Sequence, residues 1–178
     1  MRVETNMGTA RDSLSAQTTV MNPSTEFAGL YERHYAAVYC SALRVTGNPA
    51  DAKDVLQTVF LRVLNQGERP DLPYAPERYF RRAAVNAALD LLRRRVSHRE
   101  VQLDEAASAA SKESPLFLKE RLRCALASLD PADAVLFLLR HLEGMSNGEL
   151  AEMFGLEKNN IAVRLHRIRQ SLQAEMEL

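Results

Sequence analysis

Lys158, Asn159, Asn160, Val163 and Arg164 fall within seven residues, and Arg167 follows them. These side-chain types read duplex DNA. Asn pairs with adenine, Arg with guanine, and Val packs on a thymine methyl; Arg167 is placed to meet a phosphate. From Asn159 to Gln173 there are three arginines and no acid. A second set lies upstream, where seven arginines stand against three acids between Glu77 and Glu100. Here Tyr79 and Phe80 lie among Arg78, Arg81 and Arg82. Guanidinium groups beside aromatic rings suit backbone contact plus stacking on unpaired bases. Tyr74 sits between prolines in the preceding loop, where it is positioned to hold an extruded base.

Catalytic chemistry has no comparable footing. His34, His98, His141 and His166 are scattered, without paired carboxylates or a nucleophile at useful spacing. There is no Gly-rich phosphate loop, no HExxH and no GxSxG. Neither Cys40 nor Cys124 belongs to a CxxC or Cys/His cluster. Each lies in an apolar helical context and is read as a small buried hydrophobe, in keeping with a reducing cytoplasm. No catalytic residue, metal or cofactor is expected.

The elements that position the C-terminal set are plain. Ser146 to Glu149 is S-x-x-E, a capping box. Leu150, Met153 and Phe154 then face inward, and Gly155 supplies a left-handed stop. Ile161, Leu165, Ile168 and Leu172 recur at four, three and four, the stripe of a second helix. The outline is a helix-turn-helix, whose second helix carries the reading residues near its N-terminus.

Upstream, Phe27 to Leu43 marks a helix stopped by Gly47-Asn48-Pro49. The next helix buries Val55, Leu56, Val59, Phe60, Val63 and Leu64, with Asp51 and Asp54 favouring its start. Its outward residues are Asp51, Lys53, Asp54, Gln57 and Arg62, a mixed face suited to a protein partner rather than DNA. A loop over 65–77 holds three prolines and a glycine. A third helix runs from Pro76 to Arg95. Residues 97–115, polar and rich in Ser and Ala, read as a flexible linker. Helices follow over Leu116–Leu129 and Ala132–Leu142, the latter closed by Gly144. No strand-like alternation and no repeat occurs. The fold is therefore all-α, with two small helical domains over 26–96 and 116–178, preceded by a disordered tail over 1–25. No further domain is expected behind the last helix.

Charge adds a constraint. The chain of 178 residues carries 23 basic and 23 acidic residues. A protein that holds DNA unaided usually has a strongly basic balance. DNA contact must come from local patches or from a partner that carries the chain to its site. No apolar run reaches the length of a membrane span, and the N-terminus has no signal core.

Both halves resemble one family, the bacterial sigma factors of the extracytoplasmic-function type (sigma-70 group IV). GNPADAKDVLQTVFLRVL is similar to that family's Asp-Ala-Glu-Asp-x-x-Gln-x-x-Phe helix: Asp51, Ala52, Asp54, Gln57 and Phe60 match, and Lys53 replaces an acid. YFRRAAVNAALDLLRRR resembles the promoter-reading helix, matching at Asn86, Asp90, Leu92 and Arg93, with Tyr79 where Trp is common and Val85 where Arg is common. The C-terminal half follows the family closely. It departs at Glu157 and Asn160, where Ser or Thr caps are usual, and at Ala162 and Val163, where Lys or Ser is common. The resemblance covers about residues 26–173.

It implies a cytoplasmic, non-enzymatic factor that binds core RNA polymerase. Asp51, Asp54, Gln57 and Phe60 would dock on the clamp helices of the β′ subunit. Tyr74, Arg78, Tyr79, Arg81, Arg82, Asn86 and Arg93 would recognise and open the −10 promoter element. Lys158, Asn159, Asn160, Val163, Arg164 and Arg167 would read the −35 element as duplex. An anti-sigma factor is a further implied partner. The rival reading is a regulator of the LuxR type, whose helix-turn-helix MSNGELAEMFGL also resembles; such a protein binds duplex without polymerase.

Overall fold

Proline sets the rhythm of the helices. The computed structural model describes residues 23–65, 75–102 and 115–177. Within them run α1 (Pro23–Thr46), α2 (Pro49–Asn65), α3 (Pro76–Gln102), α4 (Pro115–Ser128), α5 (Pro131–His141), α6 (Asn147–Phe154) and α7 (Lys158–Glu177). Five of these begin on proline. Proline suits a first helical position because its φ is already helical and the N–H it lacks would have had no partner there. The turns agree with that reading. Gly47 adopts φ +66° between α1 and α2, and Asn48 Oδ1 accepts the Ala50 N–H at 2.8 Å. Asp130 caps α5 by accepting from Ala132 and Asp133.

Helices α1, α2 and α3 pack together around Val38, Ala42, Val55, Val59, Phe80, Ala84 and Leu89, all but removed from water. Phe80 stacks between His34 (4.5 Å) and Phe60 (5.4 Å). In the second half Leu136, Leu139, Leu150, Met153 and Ile161 fill the space between α5, α6 and α7. Fully burying such a side chain contributes about 1.5–3 kcal/mol. The two halves also touch, for α3 packs on α4 and α5 as well as on α1 and α2. The first-domain helix α3 is thus the seam of the molecule.

Three sequence expectations are corrected here. Helix α3 does not stop at Arg95 but continues to Gln102. Ser97–Gln102 contains neither glycine nor proline, so polarity alone gave no reason to stop. What is left of the linker, 103–114, lies outside the described residues, as do residues 1–22 of the tail. Leu64, assigned to the buried stripe of α2, is 48% exposed. Cys40 and Cys124 are exposed rather than buried. Val38, Ser41, Ala42 and Val45 form the inward stripe of α1, and Cys40 falls off it; Cys124 sits beside the buried pair Ala125 and Leu126. Apolar neighbours in sequence do not fix which face of a helix a residue occupies.

Candidate nucleic-acid interface

The helix-turn-helix forms by the expected local chemistry. Ser146 Oγ accepts the Glu149 N–H at 3.2 Å, and Glu149 Oε2 accepts the Ser146 N–H at 2.8 Å. That closed box holds the Glu149 carboxyl below its ordinary pKa, the Ser146 backbone amide being the largest cause. At the other end of α6, Gly155 takes φ +63° and ψ +37°. An L side chain is disfavoured in that left-handed region. The sharp turn sets α7 across α5 and α6, with Ile161, Leu165, Ile168 and Leu172 all buried.

This register decides what α7 offers to solvent. Lys158, Asn159, Asn160, Val163 and Arg167 are exposed, and Val163 keeps half its surface in water. An exposed valine among amides and cations has no packing role, but it fits the wall of a major groove. Arg164 differs. Its guanidinium is bonded to the Asp133 carboxylate and lies 3.8 Å from Asp130. It ties α7 to the N-terminus of α5 and is not free to meet a base. Its partners lie 31 residues or more upstream, beyond the reach of helical spacing.

The α3 arginines are even more occupied. Arg78 donates to Glu149 and Glu152, each at 3.0 Å. Arg81 bonds Glu77 at 2.7 Å and Glu143 at 2.6 Å. The Glu77 bond is the largest cause keeping the Arg81 guanidinium more firmly protonated than usual. Arg82 donates to the Met153 carbonyl at 3.0 Å and lies 4.7 Å from the centre of the Phe154 ring. Arg93 donates to the carbonyls of Ala127 and Leu129, each at 3.1 Å. Tyr79 and Asn86 are half-buried, and Tyr74 lies outside the described residues. Phe80, which sequence places beside the arginines as a stacking ring, is wholly buried in the core.

Helix α2 divides its set. Asp54 and Gln57 are exposed as expected. Asp51 and Phe60 are not, with only 3% and 4% of their surfaces accessible. Asp51 forms a paired bond with Arg95 of α3, so it fastens two helices together. Phe60 packs against Tyr31, Phe27 and Phe80. The outer face instead comprises Lys53, Asp54, Gln57, Leu61 and Leu64, both leucines about half in water. Sequence reading overlooked Leu61, although it lies four residues after Gln57 and so on the same face.

Among the described residues no group of His, Cys, Asp or Glu gathers as metal ligands, and no helix is long and apolar enough to cross a membrane.

Comparison with known proteins matches these two halves separately. Residues 30–98 match the family model for sigma-70 region 2, and residues 119–172 the model for sigma-70 region 4. The chain is 33% identical to the RNA polymerase sigma factor CarQ of Myxococcus xanthus, over 85% of this chain and 91% of that protein. It is 28% identical to the RNA polymerase sigma-E factor of Streptomyces coelicolor, over 88% and 89%. It is 32% identical to the ECF RNA polymerase sigma factor SigE of Mycolicibacterium smegmatis, spanning 81% of this chain but only 59% of that longer protein. Among solved structures, CnrH in complex with the cytosolic domain of CnrY gives a TM-score of 0.49 at 24% identity, covering 88% of this chain and 90% of that one.

Proposed function

The chain belongs to the extracytoplasmic-function sigma factors of bacterial RNA polymerase, and from that premise we propose how its surfaces divide the work of promoter recognition. Core polymerase docks on the outer face of α2. Lys53, Asp54 and Gln57 supply polar contacts there, and Leu61 and Leu64 supply the apolar area that an interface core needs. The occupant is the pair of clamp helices of the β′ subunit. Asp51 and Phe60 support that face from beneath.

Helix α3, with Tyr74 two residues before it in sequence, recognises and opens the −10 element. Arg78, Arg81, Arg82 and Arg93 meet phosphates, while Tyr79 and Asn86 lie on the same helix to engage unpaired bases. Helix α7 reads the −35 element as duplex through Lys158, Asn159, Asn160 and Val163, with Arg167 on the backbone. Arg164 acts through position, holding α7 against Asp133. Ala162 and Val163, in place of the usual Lys or Ser, make this part of the surface apolar and favour a thymine methyl. No chemical step falls to the chain. Its work is done in the cytoplasm, where an anti-sigma factor is the expected restraint.

The observation that carries this reading is the exposed Lys158–Arg167 face on a helix whose apolar stripe is fully buried. It sits in a chain of zero net charge. Such a protein has a reading head but little general affinity for DNA, which polymerase supplies.

The test is a pull-down of core RNA polymerase, together with transcription from genomic fragments and binding of the free protein to the same fragments. Core binding, new promoter-dependent transcripts and weak free binding are expected. Asn160→Ala should weaken use of promoters that depend on the −35 element by about 1–3 kcal/mol, the worth of one bidentate base contact, with core binding unchanged. Tight sequence-specific duplex binding without any core interaction would instead favour a regulator of the LuxR type.

A further inference from the structure

We propose that the cavity where the end of α3 meets α4 and α7 binds a small amphipathic carboxylate, an apolar ring body carrying one negative charge. This goes beyond promoter recognition and stands on the packing of those three helices.

The cavity measures about 640 Å³, within the range of about 300–1,000 Å³ that small-molecule pockets occupy. Close packing normally leaves few voids larger than a water molecule. Two features of the sequence open this one. Helix α3 continues past Arg95, so Val96 and Ser97 form part of the wall. From α4 come Cys124, Ala125, Ala127 and Ser128, side chains too short to fill the space. Phe117 of α4 adds an aromatic surface, and Glu175 reaches the cavity from α7. The lining is mainly apolar with a few charged groups set into it, the pattern of a pocket that orients an amphipathic molecule.

Those charged groups fix the sign of the ligand. Arg93 donates through Nε and Nη2 to the carbonyls of Ala127 and Leu129, each at 3.1 Å. Arg121 donates through Nη2 to the Glu175 main-chain carbonyl at 3.0 Å and lies 5.9 Å from the centre of the Phe117 ring. These partners are neutral and leave both guanidinium charges uncancelled. A guanidinium has five N–H donors, more than these bonds use. Two carboxylates also line the cavity. Glu120 accepts at 3.4 Å from Arg123, a cation outside the lining. Glu175 accepts from Ser128 Oγ, each oxygen at 2.9 Å. With Glu120 matched by Arg123, the cations Arg93 and Arg121 face the single anion Glu175, and one positive charge is left over. One carboxylate restores neutrality, and a guanidinium fork holds carboxylate through paired bonds. A doubly charged phosphate would overshoot the balance. The ring body then lies along Val96, Phe117 and the short side chains of α4.

The test uses the full chain and 2-naphthoate as the probe, with 2-naphthamide as its neutral counterpart. Isothermal titration calorimetry reads affinity. Iodoacetamide labelling, followed by mass spectrometry, reads location: both cysteines are exposed but only Cys124 lines the cavity, which makes Cys40 of α1 the internal control. Naphthoate should bind about tenfold more tightly than the amide, the difference between a charge-assisted and a neutral hydrogen bond. It should slow labelling of Cys124 severalfold and leave Cys40 unchanged. Arg121→Gln should remove the preference for the acid. Ser97→Phe, which fills the cavity from an exposed position, should abolish binding of both compounds. No binding, equal protection of the two cysteines, or equal affinity for acid and amide in the wild-type chain would overturn the proposal. The sigma-factor assignment is judged by core polymerase binding, which none of these readouts involves, so the two fail separately.

Discussion

Asp51 shows how a single residue can look functional in sequence and be structural in the fold. Its place on α2 suits a polymerase contact, yet its carboxylate is buried and fastened to Arg95. Asp51→Asn should therefore lower stability by about 1–3 kcal/mol, the cost of weakening a buried charge-assisted bond, as read by denaturant unfolding. Core affinity of the folded protein should be unchanged, whereas Gln57→Ala should reduce it. A loss of core binding by folded Asp51→Asn would return that residue to the docking surface. His34 carries a pH dependence at the same scale. Burial first, then the charge of Arg33, lowers its pKa below 6.5, and burial likewise lowers that of His141. A lowered histidine pKa means that the unfolded chain takes up its proton first as pH falls. Stability is then full above the unfolded value and declines below it. Thermal unfolding should shift to lower temperature between about pH 7.5 and about pH 5.5, and His34→Phe, which keeps the ring on Phe80, should flatten that decline. Glu149 acts in a more acidic window, because its lowered carboxyl pKa makes the capping box lose its contribution only as pH drops below the ordinary 4.5.

At the scale of elements, the cap of α6 is the feature on which the reading helix depends. Ser146→Ala removes the acceptor for the Glu149 amide and should cost about 1 kcal/mol, the usual worth of an N-cap. Because Glu149 also holds Arg78, the same substitution should loosen the contact between α6 and α3, seen as faster amide exchange in both helices. Exchange that rises in α6 alone would separate the cap from the domain contact. This box was legible in the sequence, and so were Gly155, the Ile161–Leu172 stripe and the proline helix starts. Each is a local rule acting over one to four residues. The end of α3 was less so, because a polar helix without a breaker resembles a linker in composition. The face occupied by Leu64, Cys40 and Cys124 was not legible, since apolar residues near a stripe differ from those on it only by the rotation of a packed helix. The engagements of Arg78, Arg81, Arg93 and Arg164 were also invisible. Apart from Glu77, one helical turn from Arg81, their partners lie 31 to 74 residues away, and a row of arginines reads the same whether it faces solvent or acids.

For the whole molecule, equal numbers of acids and bases pose one question with two consequences. A neutral chain gains little from releasing counterions, so its own hold on duplex DNA must be weak and local. Arg78, Arg81, Arg82 and Arg93 of α3 are engaged by the second domain, and with Lys158 given to base edges the exposed arginines left on α7 are Arg167 and Arg169. Two phosphate contacts give a slope of about −2 for the logarithm of affinity against the logarithm of salt concentration. The free chain on a −35 duplex should show that shallow slope, and Arg167→Ala should flatten it by about 1. The polymerase-bound chain on a full promoter should be several-fold steeper, because polymerase adds its own cations and Arg78, Arg81, Arg82 and Arg93 turn from carboxylates and carbonyls to phosphates. Anisotropy titrations at several salt concentrations measure all three slopes. A free chain as steep as the holoenzyme would mean that the α3 arginines already meet DNA without polymerase, and the division of labour between reading head and carrier would fail. A shallow free slope that steepens only with core present is what a neutral chain requires: Glu143, Glu149 and Glu152, which engage Arg78 and Arg81, are three of the 23 acids that balance its charge, and DNA must displace them at a promoter.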